Sequence, residues 1–262
     1  MNWNMLVNDM TIPLQSGIIY GPVNSRRLGR SLGINLLPVD FKICTFNCLY
    51  CQYGWTKIHS KDISNNKVWP TVVEVLQETE RVLKTLNPKP AYITFSGNGE
   101  PTLHPNFPEL VREIKILRDN WSPLSKTAVL SNSTTIDDQR ICDAINSLDV
   151  KIMKLDCGNE DCFCHYNRPC CDIQYESIFS SLKLIDDLVI QSLFSDGPDG
   201  NCHIDDLNSW IEKIRDLSPN AVQIYTIQRK YPSEKISPLS YEQLMNIRNR
   251  LDQVGVQASV YI

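Results

Sequence analysis

The sequence predicts an α/β protein on a parallel sheet, and three observations predict it. Short apolar runs alternate with amphipathic segments of helical period. No repeat, low-complexity tract or linker-like shift in composition divides the 262 residues. The residues that carry chemistry fall just after the apolar runs. The runs are Leu32–Leu37, Ala91–Ser96, Thr127–Ser131, Lys151–Leu155, Leu188–Leu193 and Val222–Ile227. Each is short and bounded by turn or polar residues, as a buried strand is. The segments between them repeat apolar residues every three or four positions. Val72–Leu86 does so with Val73, Leu76, Val82, Leu83 and Leu86, and Phe107–Leu117 with Leu110, Ile114 and Leu117. Ile136–Leu148, Tyr175–Ile185, Ile204–Leu217 and Tyr241–Val254 follow the same period. Strand and helix alternating six times make right-handed βαβ units, whose strands lie parallel. A single barrel domain over residues 20–262, preceded by an extension over 1–19, is the simplest division of this chain.

Composition narrows the function. With 42% apolar and 21% charged residues the chain is globular, and at this length it buries roughly 70–75% of its unfolded surface. Twenty-six basic against thirty acidic residues leave a net charge of -4, which excludes coating of nucleic acid or anionic lipid by bulk electrostatics. No stretch reaches the ~18 apolar residues of a membrane span. Met1–Ser16 lacks the layout of a signal peptide, so a cytoplasmic protein without membrane partners is expected. Ten cysteines are then anomalous, because a reducing compartment gives a chain of this size no use for a disulfide framework.

Ligands of an α/β parallel sheet bind at the C-terminal ends of its strands. Cys44–Cys51 follows the first run, Gly97–Glu100 the second, Asn132 the third, Asp156-Cys157 the fourth, Asp196–Cys202 the fifth and Gln228-Arg229 the sixth, so all belong to one mouth. Cys44, Cys48 and Cys51 are spaced C-x3-C-x2-C. Three thiolates on one loop hold three irons of a [4Fe–4S] cube and leave the fourth iron open. Ferredoxins close the cluster with a fourth cysteine, and zinc ribbons pair two distant C-x2-C knuckles.

The triple, with an aromatic before its last cysteine, resembles the radical S-adenosylmethionine (radical SAM) superfamily. Thr94-Phe95-Ser96-Gly97-Asn98-Gly99-Glu100-Pro101 resembles that superfamily's Gly-Gly-Glu loop with Asn98 inserted. Tyr20–Gly33, Phe95–Pro105 and Lys154-Leu155-Asp156 are similar to the branch grouped with wyosine-type tRNA base synthetases. The resemblance implies a partial (β/α)6 barrel with parallel strands. It implies Cys44, Cys48 and Cys51 as ligands of a [4Fe–4S] cluster that binds S-adenosylmethionine, with Tyr50 near the adenine. Gly97, Asn98, Gly99 and Glu100 would meet the methionine amine, Ser131 and Asn132 the ribose, and Lys154 or Asp156 the methionine end. It further implies a low-potential electron donor, ferredoxin or flavodoxin, since the chain has no flavin or nicotinamide fingerprint.

A second group, Cys157, Cys162, Cys164, Cys170 and Cys171, crowds into fifteen residues. Three readings stand: buried reduced thiols; an auxiliary iron–sulfur cluster or metal held by some of these five, with His165 or Cys202; or Cys157 as a catalytic thiol in the mouth. Arg26, Arg27 and Arg30 form the one compact basic group, suited to a substrate phosphate or carboxylate, or to structural ion pairs. His104 is a candidate proton donor or a brace for its turn. Arg168 and Arg229 are candidates for a carboxylate at the mouth. The expected protein is an enzyme that cleaves S-adenosylmethionine reductively and abstracts hydrogen from a small molecule or peptide. tRNA base modification is the alternative, weakened by a net negative charge and by the lack of cysteines before Cys44. A non-catalytic iron–sulfur or zinc protein is the rival from another class.

Overall fold

The computed structural model of the chain describes residues 11–61, 69–170 and 172–262. In chain order its elements are β1 (Ile19–Ser25), β2 (Gly29–Ile34), β3 (Ile43–Cys44), β4 (Ile58–His59), α1 (Val72–Thr85), β5 (Tyr92–Phe95), α2 (Phe107–Trp121), β6 (Lys126–Ser131) and α3 (Gln139–Asn146). They continue with β7 (Val150–Lys154), α4 (Glu160–Tyr166), α5 (Tyr175–Leu182), β8 (Val189–Asp196), α6 (Ile204–Leu217), β9 (Ala221–Thr226), β10 (Ser237–Pro238), α7 (Tyr241–Gln253) and β11 (Ala258–Tyr261).

The main sheet runs β1-β2-β5-β6-β7-β8-β9-β11, with β10 on β8. Every neighbouring pair from β2 to β11 is parallel, whereas β1–β2 and β10–β8 are antiparallel. The six anticipated strands are present as β2, β5, β6, β7, β8 and β9. A seventh parallel strand, β11, extends the edge, and its four half-exposed residues carry no long apolar run to announce it. The hairpin partner β1 was also unanticipated. The helices match the predicted segments, and α4 is added within the cysteine-rich stretch. Capping boxes start α1 at Thr71–Glu74 and α7 at Ser240–Gln243, each satisfying two backbone donors reciprocally.

Strand residues divide by parity. Leu32, Ile34, Ile93, Phe95, Val129, Met153, Ile190, Val222 and Ile224 join the core that the helices cover. Ala128 and Ile152, with Tyr92, Leu130, Val150 and Val189, form a separate inner cluster, closed by Leu28 from the β1–β2 turn. The sheet is therefore curled into a half-barrel with its own lumen. Arg27 of the same turn lies over Tyr225 of β9, with four strands of the sheet order between β2 and β9. Only a curved sheet brings those two together.

Candidate active site

The loop Cys44–Cys51 is clamped at the C-terminal ends of the strands from two sides. On one side Ile43 bridges to Gly99, with Ile43 N–H donating to Asn98 O at 3.3 Å and Glu100 N–H to Ile43 O at 3.1 Å. On the other side, backbone N–H groups of Asn47 and Leu49 donate to carbonyls of Asn167, Arg168 and Tyr166, and Cys170 N–H donates to Thr45 O at 2.9 Å. The segment carrying the second cysteine group is thus a wall of the site.

Each thiol of the triple has its own donor. Cys44 Sγ accepts from Phe46 N–H at 3.4 Å and from Asn132 Nδ2 at 3.5 Å. Cys48 Sγ accepts from Asn167 Nδ2 at 3.5 Å. Cys51 Sγ accepts from Lys42 Nζ at 3.0 Å. Burial pushes the Cys44 thiol up to about 12 and the Cys48 thiol up to about 11. Lys42 is buried, and burial opposes its charge, yet the charges of Cys51, Cys44 and Cys48 hold its ammonium above the ordinary value. Its other partner is the carbonyl of Gly54 at 3.0 Å. A buried cation bonded to Cys51 and acting by its charge on Cys44 and Cys48 suits an anionic thiolate-held cluster.

Both glycines of the following loop adopt positive φ, 140° at Gly97 and 142° at Gly99. The reason is close approach of the chain to itself. A Cβ on Gly97 would lie 2.4 Å from Asn35 Oδ1, and one on Gly99 would lie 1.7 Å from Ile43 O. Asn98 is buried and joins the chain before β1 to the site, donating through Nδ2 to Gln15 O and Pro38 O and accepting from Gln15 N–H. Glu100 is a hub. Its Oε1 accepts from Thr102 N–H, Thr102 Oγ1 and Ser131 Oγ, and its Oε2 from Asn132 N–H at 2.6 Å. Burial still raises its carboxyl above the ordinary range. Asn132 in turn donates to Thr45 Oγ1 at 2.7 Å and accepts from Thr134. Glu100, Ser131 and Asn132, expected to meet the methionine amine and ribose, thus use these side-chain atoms to lock β6 to both loops.

At the end of β7, Lys154 Nζ lies 2.9 Å from Asp156 Oδ1 and donates to Tyr225 Oη at 2.9 Å, between the rings of Tyr50 and Tyr225. Burial disfavours its charge, but Asp156 and Tyr225 outweigh that and hold the ammonium protonated. Asp156 Oδ2 accepts from Tyr50 Oη–H and from Asn167 Nδ2, the latter at 2.8 Å. Asn167 also faces Cys48, so it ties cluster loop, Tyr50 and Asp156 together. Sequence reasoning missed both Lys42 and Asn167. Lys42 stands only two residues before Cys44, and its burial was not legible there; Asn167 has no local pattern around it.

Asp156 and Cys157 both meet the Asn167 side chain, Asp156 accepting from Nδ2 through its carboxylate and Cys157 donating to Oδ1 through its thiol. The Cys157 thiol is buried, donating to Asn167 Oδ1 at 3.7 Å and touching Cys162 Sγ at 2.6 Å, and it lines one small cavity with Lys154, Asp156 and Asn167. The rest of the second group disperses. Cys164 is exposed and donates to Glu160 Oε1, Cys202 donates to Asp196 Oδ1, Cys170 follows the wall segment, and His165 pairs with Asp199. Cys171 lies outside the described residues. Of the proposed auxiliary ligands among the described residues, only Cys157 and Cys162 come together.

His104 braces its turn: Nδ1 accepts from Asn106 N–H at 3.1 Å and Nε2 faces Pro70 O at 2.9 Å. That pattern requires the neutral Nε2–H tautomer, and burial lowers the pKa below 6.5 despite the Pro70 carbonyl. Below about pH 6.5 the unfolded chain takes up a proton that folded His104 refuses, so stability is lost as pH falls through that window. Urea unfolding of wild type is expected to give a lower midpoint at about pH 5.5 than at about pH 7.5, with His104→Gln narrowing the gap. An unchanged gap in the variant would exclude His104 as a source of that loss.

The sequence matches the radical SAM superfamily over residues 39–200, more than half of the chain. The chain belongs to the radical SAM superfamily. It is an enzyme of the radical SAM type, and membership implies a [4Fe–4S] cluster and S-adenosylmethionine. It is 32% identical to a UPF0026 protein of Methanocaldococcus jannaschii, over 88% of this chain and 70% of that one. It is 30% identical to a protein named GTPase Obg of Brachyspira hyodysenteriae, over 88% of this chain, which spans only 33% of that relative's length. A solved structure of TYW1 with a lysine-pyruvate adduct bound superposes with a TM-score of 0.58 at 18% identity, over 86% of this chain and 73% of that one. That likeness concerns the fold, a partial barrel. No helix among the described residues is long and apolar enough to cross a membrane.

Proposed function

We propose that this radical SAM enzyme abstracts hydrogen from a small molecule or peptide admitted to the half-barrel lumen, with Cys44, Cys48 and Cys51 as the only protein ligands of its cluster. When bound, a [4Fe–4S] cluster with S-adenosylmethionine supplies reductive cleavage of the sulfonium to a 5′-deoxyadenosyl radical. The observation that carries the reading is the loop of Cys44, Cys48 and Cys51 at the mouth of a parallel barrel, with the buried Lys42 donating to Cys51. Asn132, Asn167 and Lys42 orient the three sulfurs and donate to them. Gly97, Gly99 and Glu100 hold the neighbouring strand end rigid, and Tyr50, Lys154 and Asp156 form the polar floor beneath the cofactor. A ferredoxin or flavodoxin is the electron donor this reading calls for.

Cys157 braces Asn167 in this reading. Anaerobically reconstituted protein given dithionite and S-adenosylmethionine is expected to release 5′-deoxyadenosine, read by chromatography. Protein loaded with four irons that releases none would overturn the reading.

A further inference from the structure

Five arginines of this chain, Arg81, Arg112, Arg118, Arg140 and Arg248, lie in ion pairs with carboxylates. Arg26, Arg27 and Arg229, like Arg30, Arg168, Arg215 and Arg250, make no such pair among the described residues, and Arg27 reaches the lumen at Tyr225. Arg26 and Arg27 come from the β1–β2 turn and Arg229 from the segment after β9. The Arg27 guanidinium lies 4.5 Å over the Tyr225 ring, whose hydroxyl holds Lys154. Arg229 Nη1 donates to Gln52 Oε1 at 2.9 Å, beside the cluster loop, and its charge acts on Tyr20 and Tyr53. Arg26 precedes Arg27 in the same turn, and its pKa is lowered by partial burial and then by the charges of Arg27 and Arg229.

Among the described residues no carboxylate forms an ion pair with these three. The pairs on the inner wall, Ser31–Thr94, Tyr20–Ser96 and Gln191–Gln223, are neutral. The Asp156 carboxylate is already matched by Lys154. Three like charges gathered from separate elements repel one another, in a chain whose net charge is -4. Stacking and a side-chain amide also fix two of the three forks in place. An arginine fork so held matches the oxygens of phosphate or carboxylate with little further loss of freedom.

Resting on the function proposed above, we propose that Arg26, Arg27 and Arg229 are the anion-binding end of the substrate site, which takes a small molecule bearing a compact multiply charged oxyanion, phosphate or polycarboxylate.

The test is calorimetric titration of the reconstituted holoenzyme, S-adenosylmethionine present and ionic strength fixed, with inorganic pyrophosphate in one arm and citrate in the other. At least one is expected to bind, the tighter arm naming the source of the charge. Arg27→Gln and Arg229→Gln should each weaken it at least tenfold, Arg27→Lys should restore it only in part, and Arg215→Gln, exposed on α6, should leave it unchanged. Equal weakening by Arg215→Gln would mean an adventitious ion only. Binding indifferent to Arg27→Gln and Arg229→Gln, or no response to either anion while a 20-nucleotide RNA binds, would overturn the proposal. Release of 5′-deoxyadenosine by the same wild-type preparation separates the two readings. If it occurs without anion binding, the anion site alone fails; anion binding without it leaves the site standing and fails the reaction.

Discussion

A Lys42→Met protein is expected to hold its iron about 10–100-fold more weakly than wild type, the usual effect of losing a partner that orients metal ligands. Lys42 donates to Cys51 at 3.0 Å, and its positive charge acts on both Cys44 and Cys48. Methionine fills similar volume with neither donor nor charge. Three thiolates then repel one another with no buried cation between them, and burial already resists their ionisation. A cluster that does assemble should be harder to reduce, because hydrogen bonds to sulfur and nearby charge set its potential. The apoprotein should behave in the opposite way. There the lysine is a buried charge facing neutral thiols, a costly arrangement, so the variant should melt no lower than wild-type apoprotein. Iron and sulfide per chain after anaerobic reconstitution, with thermal melts of both apoproteins, check this. Wild-type iron content in Lys42→Met would remove the cation from the account of the site.

Gly99→Ala tests the other clamp. The alanine Cβ would lie 1.7 Å from the Ile43 carbonyl oxygen, which is backbone and cannot rotate aside, and the residue would sit at φ 142°. The backbone strain alone costs about 1–3 kcal/mol. Relieving the overlap must also break the bridge from Ile43 to Gly99, and Ile43 immediately precedes Cys44. A total near 3 kcal/mol lowers the melting temperature by roughly 6–12 °C in a protein of this size, and the displaced Cys44 should reduce iron uptake as well. Calorimetry and iron analysis read the two effects separately. A melting temperature within a degree or so of wild type would mean that Gly99 and Ile43 are not in the contact described.

Much of the fold is legible in the sequence because its signals are local. A parallel strand covered by helices is a short apolar run, and six such runs lie close to β2, β5, β6, β7, β8 and β9. The strand β11 escaped because half-exposed edge residues need no such run. Asn98, Glu100 and Asn132 sit where the sequence suggested, at strand ends around one mouth. The work of their side chains was not readable there, because a glutamate that accepts from Thr102, Ser131 and Asn132 is defined by residues up to 32 positions away. For Gly97 and Gly99 the sequence suggested approach to a ligand, whereas the chain's own Asn35 and Ile43 fill the space.

The sequence by itself determined the alternating architecture, the C-x3-C-x2-C loop and the family, since these depend on spacing along one chain. The tertiary structure alone decided that Lys42 is buried against Cys51, that Asn167 joins Cys48 to Asp156, that Cys157 meets Cys162 and that Arg27 lies over Tyr225. Each of these depends on which side of the backbone a residue leaves and on how a curved sheet closes distances of many residues, and both are properties of packing in three dimensions.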